Sequence, residues 1–186
     1  MSVNPEIAAR SIRLLLLDVD GVLTDGRLYY GNNGEELKAF HIQDGLGIKL
    51  LQRQDIEVGI ITGRSSALLA RRATELGIQR VIQGREDKSR ALDELLADSP
   101  FDLNQIAFMG DDLPDLPVMA RVGLALTVAD CSTTVAQHAH WQASRGGGRG
   151  AVREAAEFIL RAQGKLDAAL APYLACDISP QEKAMP

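Results

Sequence analysis

The sequence predicts an α/β fold with a parallel sheet flanked by helices, and three observations predict it. Four leucines, Leu14-Leu15-Leu16-Leu17, run straight into Asp18-Val19-Asp20-Gly21. An unbroken apolar run of this kind is a strand buried on both faces, as in parallel sheets. Strand and helix patterns then alternate along most of the chain. Acidic and small polar islands follow the strands, at the strand ends where open α/β sheets bind ligands.

The elements follow in order. Residues 12–17 are the first strand, and 45–54 a helix. Ile56-Glu57-Val58-Gly59-Ile60-Ile61 is the second sheet strand. Residues 65–76 are helical, with Gly77 placed as a C-terminal cap. Val81-Ile82 is a short strand, 87–96 a helix, 106–109 a strand, 114–120 a short helix and 123–128 another strand. Residues 152–163 close the pattern as an amphipathic helix. One segment, 27–41, departs from it. Leu28-Tyr29-Tyr30 and Leu37-Lys38-Ala39-Phe40 are β-rich around Asn33-Gly34, a strong turn signal. A β-hairpin inserted here emerges above the end of the first strand. Its aromatic residues serve either ordinary packing or a neighbouring subunit.

The 186 residues suffice for one domain, 1–171, followed by a tail, 172–186, expected to be mobile without ligand. The net charge of −5 and the lack of basic blocks argue against nucleic acid as a partner. No apolar run reaches the roughly 18–20 residues of a membrane span, and the first ten residues lack a signal-peptide core. Cys131 and Cys176 form neither metal spacing nor a disulfide framework. These features together favour the cytoplasm. The run Arg145-Gly146-Gly147-Gly148-Arg149-Gly150 lacks the phosphate-loop pattern. It is either a flexible connector or a mobile loop whose arginines meet an anionic substrate.

Four islands share one predicted placement. They are Asp18-Val19-Asp20, Thr62-Gly63-Arg64, Lys88 at a helix start, and Gly110-Asp111-Asp112-Leu113-Pro114-Asp115. Two acids spaced i, i+2 repel each other and lose hydration, a cost that a divalent cation offsets. The set suits phosphoryl transfer. A carboxylate can attack phosphorus and hold the group covalently, and magnesium takes a few carboxylates with several waters. A second acid can shuttle the proton, while a hydroxyl and an ammonium hold the phosphoryl oxygens. Each island alone has a plainer reading: surface acids, a turn, a solvated lysine, or helix caps at Asp112 and Asp115.

These motifs resemble the haloacid dehalogenase-like (HAD) superfamily over residues 12–128. The resemblance implies a Rossmann-like core and magnesium-dependent chemistry. It implies Asp18 as nucleophile, Asp20 as general acid/base, Thr62 and Lys88 as phosphoryl ligands, and a Mg2+ site of Asp18, Asp111 and the Asp20 backbone carbonyl. Asp112 supports the metal site, and Asp115 is an outer-shell group or a cap. The acid at position 20 suits a phosphatase or mutase. About forty residues separate Asp20 from Thr62, and fewer separate Thr62 from Lys88, so neither gap holds a cap domain.

Further stretches resemble the capless branch of 3-deoxy-D-manno-octulosonate 8-phosphate phosphatases. These are 17–26, 31–40, Ile60-Ile61-Thr62-Gly63-Arg64, Val118-Met119, 146–154 and Gln163-Gly164-Lys165-Leu166-Asp167. The resemblance implies a phosphoric monoester hydrolase of lipopolysaccharide biosynthesis and a homotetramer whose hairpin packs between subunits. In such an assembly the tail can close over a neighbour's site. It also implies substrate contacts from Asp20, His41, Ile42, Gln43, Asp44, Gly45, Lys49, Arg64, Arg72 and Lys88. His41 departs from the asparagine of that branch, leaving ligand contact or hairpin packing open, and Asp44 is alternatively a helix N-cap. The rival readings are a phosphatase for a nine-carbon acid sugar phosphate, a phosphatase for a bulky substrate, and a non-catalytic binding subunit.

Overall fold

The computed structural model describes residues 4–175, with the backbone alone for 34–36. Cys176 and the proposed lid of residues 176–186 lie outside the described residues. The chain opens with α1 (Pro5–Ala9), capped by the Asn4 side chain, and then enters β1 (Leu14–Leu17). All four leucines of β1 are fully buried. Burial of each side chain contributes about 1.5–3 kcal/mol. Alternation splits them between two cores: Leu15 and Leu17 join one face, Leu14 and Leu16 the other.

After β1 the hairpin forms as β2 (Tyr29–Gly31) and β3 (Gly34–Leu37), a separate antiparallel pair. Its tight turn is Asn32-Asn33, because Gly31 and Gly34 pair across the last rung. The Asn33-Gly34 pair therefore leaves the turn instead of forming it. Next come α2 (Ile42–Gln52) and β4 (Glu57–Ile61). The helix starts three residues earlier than the sequence suggests, because the His41 ring Nδ1 caps it by accepting the Gln43 N–H at 3.3 Å.

α3 (Ala67–Leu76) ends on Gly77 in the left-handed conformation, φ +70°, as its sequence implies. β5 (Arg80–Ile82) leads to α4 (Lys88–Leu96), capped by Asp87, which accepts the Arg90 N–H at 3.0 Å. β6 (Ile106–Gly110) is followed by a 3-10 turn, Leu113–Asp115, and the short α5 (Leu116–Met119). The last strands are β7 (Leu124–Thr127) and β8 (Trp141–Gln142), with α6 (Thr133–His138) between them. α7 (Ala151–Ala162) and α8 (Leu166–Leu174) complete the described chain. α8 carries through Pro172, past the expected start of the tail.

The six-stranded sheet has the order β5-β4-β1-β6-β7-β8, and every pairing is parallel. The connection from β1 runs to one side of the sheet and that from β6 to the other. The carboxyl ends of β1 and β6 therefore flank a topological switch point, the crevice where such sheets bind ligands. α1, α2, α3 and α7 supply the core on one face, and α4, α5 and α6 that on the other.

The glycine-rich segment, residues 145–150, corrects both sequence readings of it, flexible connector and mobile arginine loop. It is a packed strap. The Gly147 N–H donates to Asp130 Oδ1 at 2.8 Å, and the Gly148 N–H donates to the Val22 carbonyl at 2.9 Å. A Cβ on Gly147 would stand 1.8 Å from the Gly21 carbonyl oxygen. No side chain fits there, so the triglycine lies directly against the loop that carries Asp18 and Asp20.

Candidate active site

All four sequence islands meet at the switch point, three of them through Lys88 and Asp111 and the fourth through Arg64, which reaches Asp20. Asp18 leaves β1 and is buried, its N–H tied to the Met109 carbonyl at 3.0 Å. Lys88 opens α4 and is also buried, with Nζ 2.7 Å from Asp18 Oδ1 and 2.6 Å from Asp115 Oδ1. Asp111 leaves β6 and approaches closely because Gly21 carries no side chain. With φ at +99°, Gly21 would place a Cβ 2.0 Å from Asp111 Oδ2. Thr62 occupies the same edge, one strand over, just past the end of β4. It is buried, and its backbone is pinned by the Ile82 carbonyl at 3.0 Å and the Arg85 N–H at 3.2 Å.

Asp115 has a supporting part. Its Oδ1 accepts from Lys88, and its Oδ2 accepts from the N–H groups of Asp111 and Asp112 at 2.9 and 3.2 Å. Both oxygens are thereby engaged, and the loop after β6 is locked. Asp112 itself is exposed.

Charge dominates the site. Asp18, Asp111 and Asp115 each offer an oxygen within 4.8 Å of the others, against one buried ammonium. Burial raises the Asp18 carboxyl, Lys88 pulls it back down and Asp115 pushes it up, leaving it at about 6. Burial, then repulsion from Asp18 and Asp115, pushes Asp111 up to about 8. Burial acts to lower the Lys88 pKa, but the carboxylates of Asp18 and Asp115 outweigh it and raise it. Asp111 Oδ1 is buried with no hydrogen-bond partner among the described residues. With all three carboxyls ionised, one ammonium leaves an excess of two negative charges. That donor set fits Mg2+, a hard divalent cation that takes carboxylate oxygens and keeps several waters.

Asp20 lies beside this cluster with its own cations. Lys38, from the end of the hairpin, is ion-paired to Oδ1, and Arg64 Nε stands 3.6 Å from Oδ2. Lys38 is a site residue that sequence reasoning missed. The signal that could have found it is a lysine one residue past an exposed strand end, on the inward side of the β alternation.

The expected sugar-acid residues divide. Ile42 is exposed and Gln43 accepts from Arg145 Nη1 at 2.9 Å. Asp44 is buried and accepts the N–H groups of Gly150 and Arg153 at 3.2 and 2.9 Å, so it caps α7 and not its own helix. Burial raises its pKa. Gly45, Lys49 and Arg72 meet along the seam between α2 and α3. A Cβ on Gly45 would stand 2.4 Å from Arg72 Nη2, and Lys49 Nζ donates to the Leu76 carbonyl at 2.6 Å. Arg71 is solvated, while Arg72 turns inward. Among the described residues, no hydrogen bond or ion pair joins this seam to the Asp18 cluster. A hollow of about 310 Å³ beside Gln43 and Arg153, and one of about 650 Å³ near Arg13 and Gly77, both lie away from Asp18.

A comparison with models of known protein families matched none. The 3-deoxy-D-manno-octulosonate 8-phosphate phosphatase KdsC of Yersinia pestis is 53% identical over 161 residues, covering 87% of this chain and 86% of that one. The chain belongs to this family of HAD phosphatases. Among solved structures, the phosphatase of the same name from Moraxella catarrhalis, in complex with magnesium ion, phosphate ion and KDO, superposes with a TM-score of 0.87 at 43% identity. The match covers 90% of this chain and 97% of that one. A putative HAD superfamily (subfamily III A) hydrolase from Legionella pneumophila gives 0.88 at 43% identity, covering 92% and 94%. The α/β fold and the family expected from the sequence are therefore borne out, and the carboxylate cluster of Asp18, Asp111 and Asp115 fits the expected magnesium site. No helix among the described residues is long and apolar enough to cross a membrane.

Proposed function

We propose that this chain hydrolyses 3-deoxy-D-manno-octulosonate 8-phosphate to the free acid sugar and phosphate through an aspartyl-phosphate on Asp18. The observation that carries this reading is the Lys88 bridge between Asp18 and Asp115, set beside the unpaired oxygen of Asp111. A bare carboxylate repels a phosphate dianion, and the lysine and the metal site together remove that obstacle.

Asp18 Oδ attacks phosphorus as the bond to the sugar oxygen breaks, and Asp20 gives that oxygen its proton. Asp20 then takes a proton from water, whose oxygen attacks the same phosphorus and frees Asp18 and inorganic phosphate. Lys88 and the Thr62 hydroxyl hold the phosphoryl oxygens. Asp18, Asp111 and the Asp20 backbone carbonyl would hold Mg2+, which supplies charge neutralisation between nucleophile and phosphate when bound. Arg64, beside Asp20, suits the sugar-acid end of the substrate, since guanidinium binds carboxylate well.

His41, Ile42, Gln43, Asp44, Gly45, Lys49 and Arg72 are proposed to complete substrate recognition within a homotetramer. The support is an apolar surface around the hairpin, where Tyr30, Leu37 and Ile42 are 66%, 65% and 81% exposed. A neighbouring subunit seated there would cover the crevice. The reaction belongs to lipopolysaccharide biosynthesis in the cytoplasm.

The test is phosphate release with Mg2+ across a panel of sugar phosphates that includes eight- and nine-carbon acid sugars. Strong preference for the eight-carbon 8-phosphate supports the reading. Preference for a nine-carbon acid overturns the substrate, and no release from any of them overturns the function.

A further inference from the structure

We infer that Lys38 is a positioning residue for Asp20, so that the hairpin is a working part of the catalytic machinery as well as a packing element. The inference rests on the proposed role of Asp20. Lysines are seldom buried without a partner, because a lone ammonium loses its hydration. The Lys38 side chain is nevertheless only 4% exposed, although the residue as a whole is half-buried and Leu37 next door is 65% exposed. Strand alternation explains the reversal: Leu37 points out and Lys38 points in. What it meets there is Asp20 Oδ1, eighteen residues back in the chain.

The carboxylate of Asp20 is then held from two sides. Lys38 holds Oδ1 by a charge-assisted hydrogen bond, and Arg64 stands 3.6 Å from Oδ2, beyond hydrogen-bond length. Oδ2 is the oxygen left to carry the proton. In the first half-reaction the proton passes from Oδ2 to the departing sugar oxygen, and the charge left on Asp20 is met by Lys38. In the second, Oδ2 takes the proton back from the attacking water. Lys38 keeps its own proton throughout and fixes the direction in which Asp20 presents Oδ2. Because the hairpin carries Lys38 to the core, seating of the hairpin and orientation of Asp20 are one event.

The test compares two leaving groups in the wild type, Lys38→Met and Lys38→Arg. A sugar phosphate departs as an alkoxide and needs the proton, whereas p-nitrophenyl phosphate departs as a stable phenolate and does not. kcat/KM reports the steps through the first phosphoryl transfer. Lys38→Met is expected to lose tenfold or more in kcat/KM on the sugar phosphate and less than threefold on the aryl phosphate, with Lys38→Arg restoring most of the loss. Equal losses on both substrates, with unchanged circular dichroism and size-exclusion profile, overturn the inference and leave Lys38 a structural residue. Unchanged kinetics overturn it as well. A wild type inactive on both substrates removes the phosphatase reading itself, so the two failures are distinct.

Discussion

Asp111→Asn gives the sharpest view of the site's electrostatics. Asp111 has an ordinary carboxyl pKa of 3.8 when unfolded and about 8 when folded without metal. A carboxyl raised in this way supports folding fully below about pH 4, and that support is lost as pH rises towards 8. At pH 7 the ionised carboxyl of the unfolded chain must take up a proton on folding. That costs about 1.4 kcal/mol for each pH unit above 3.8, or about 4 kcal/mol at pH 7 and about 5 kcal/mol at pH 8. Asn cannot ionise and removes the cost. Metal-free Asp111→Asn should therefore melt above metal-free wild type at pH 8, by about 10 °C or more for a chain of this size. The difference should shrink towards pH 4. Saturating Mg2+ should reverse the order, stabilising wild type by about 2–3 kcal/mol at one hundred times Kd and leaving the variant unmoved. Differential scanning calorimetry with EDTA or Mg2+ from pH 4 to 8 reads all of this. A variant that melts lower without metal at pH 8, or that gains as much from Mg2+ as wild type, refutes the reasoning.

Other perturbations have equally definite outcomes. Lys88→Met leaves buried Asp18 and Asp115 without their ammonium and should cost about 3–5 kcal/mol by urea unfolding, with turnover lost; an unchanged midpoint would contradict the bridge. Gly147→Ala drives a methyl into the Gly21 carbonyl and should cost about 1–3 kcal/mol or more, with a larger loss of activity than of fold because Asp18 and Asp20 move with that loop. Asp44→Ala unties the first turn of α7 and should lower stability by about 1–3 kcal/mol. Loss of substrate affinity with full stability would instead make Asp44 a ligand contact.

The core and the cluster were legible because each is written locally. The leucine run ending in Asp18-Val19-Asp20 encodes both a doubly buried strand and its position at the sheet edge, and Thr62, Lys88 and Asp111 each follow a recognisable strand or open a helix. What escaped depends on distant partners. The Gly146-Gly147-Gly148 strap looks like a flexible linker until the Gly21 carbonyl packs against it. Asp44 has the spacing of an N-cap for α2 but is claimed by α7, more than one hundred residues away. Lys38 meets Asp20 only because the hairpin folds back over β1. α8 lies beyond the last helix read from the sequence; Pro172 sits inside it, and its Ala169 is buried against the core.

The central claim is that Asp18 becomes covalently phosphorylated. The most direct measurement mixes enzyme, Mg2+ and 3-deoxy-D-manno-octulosonate 8-phosphate, quenches within the first turnover, and reduces with borohydride, which converts an aspartyl-phosphate to homoserine. Peptide mass spectrometry should find homoserine at position 18 alone, dependent on substrate and metal. Phosphate release without that product, or with the product at another aspartate, would contradict it.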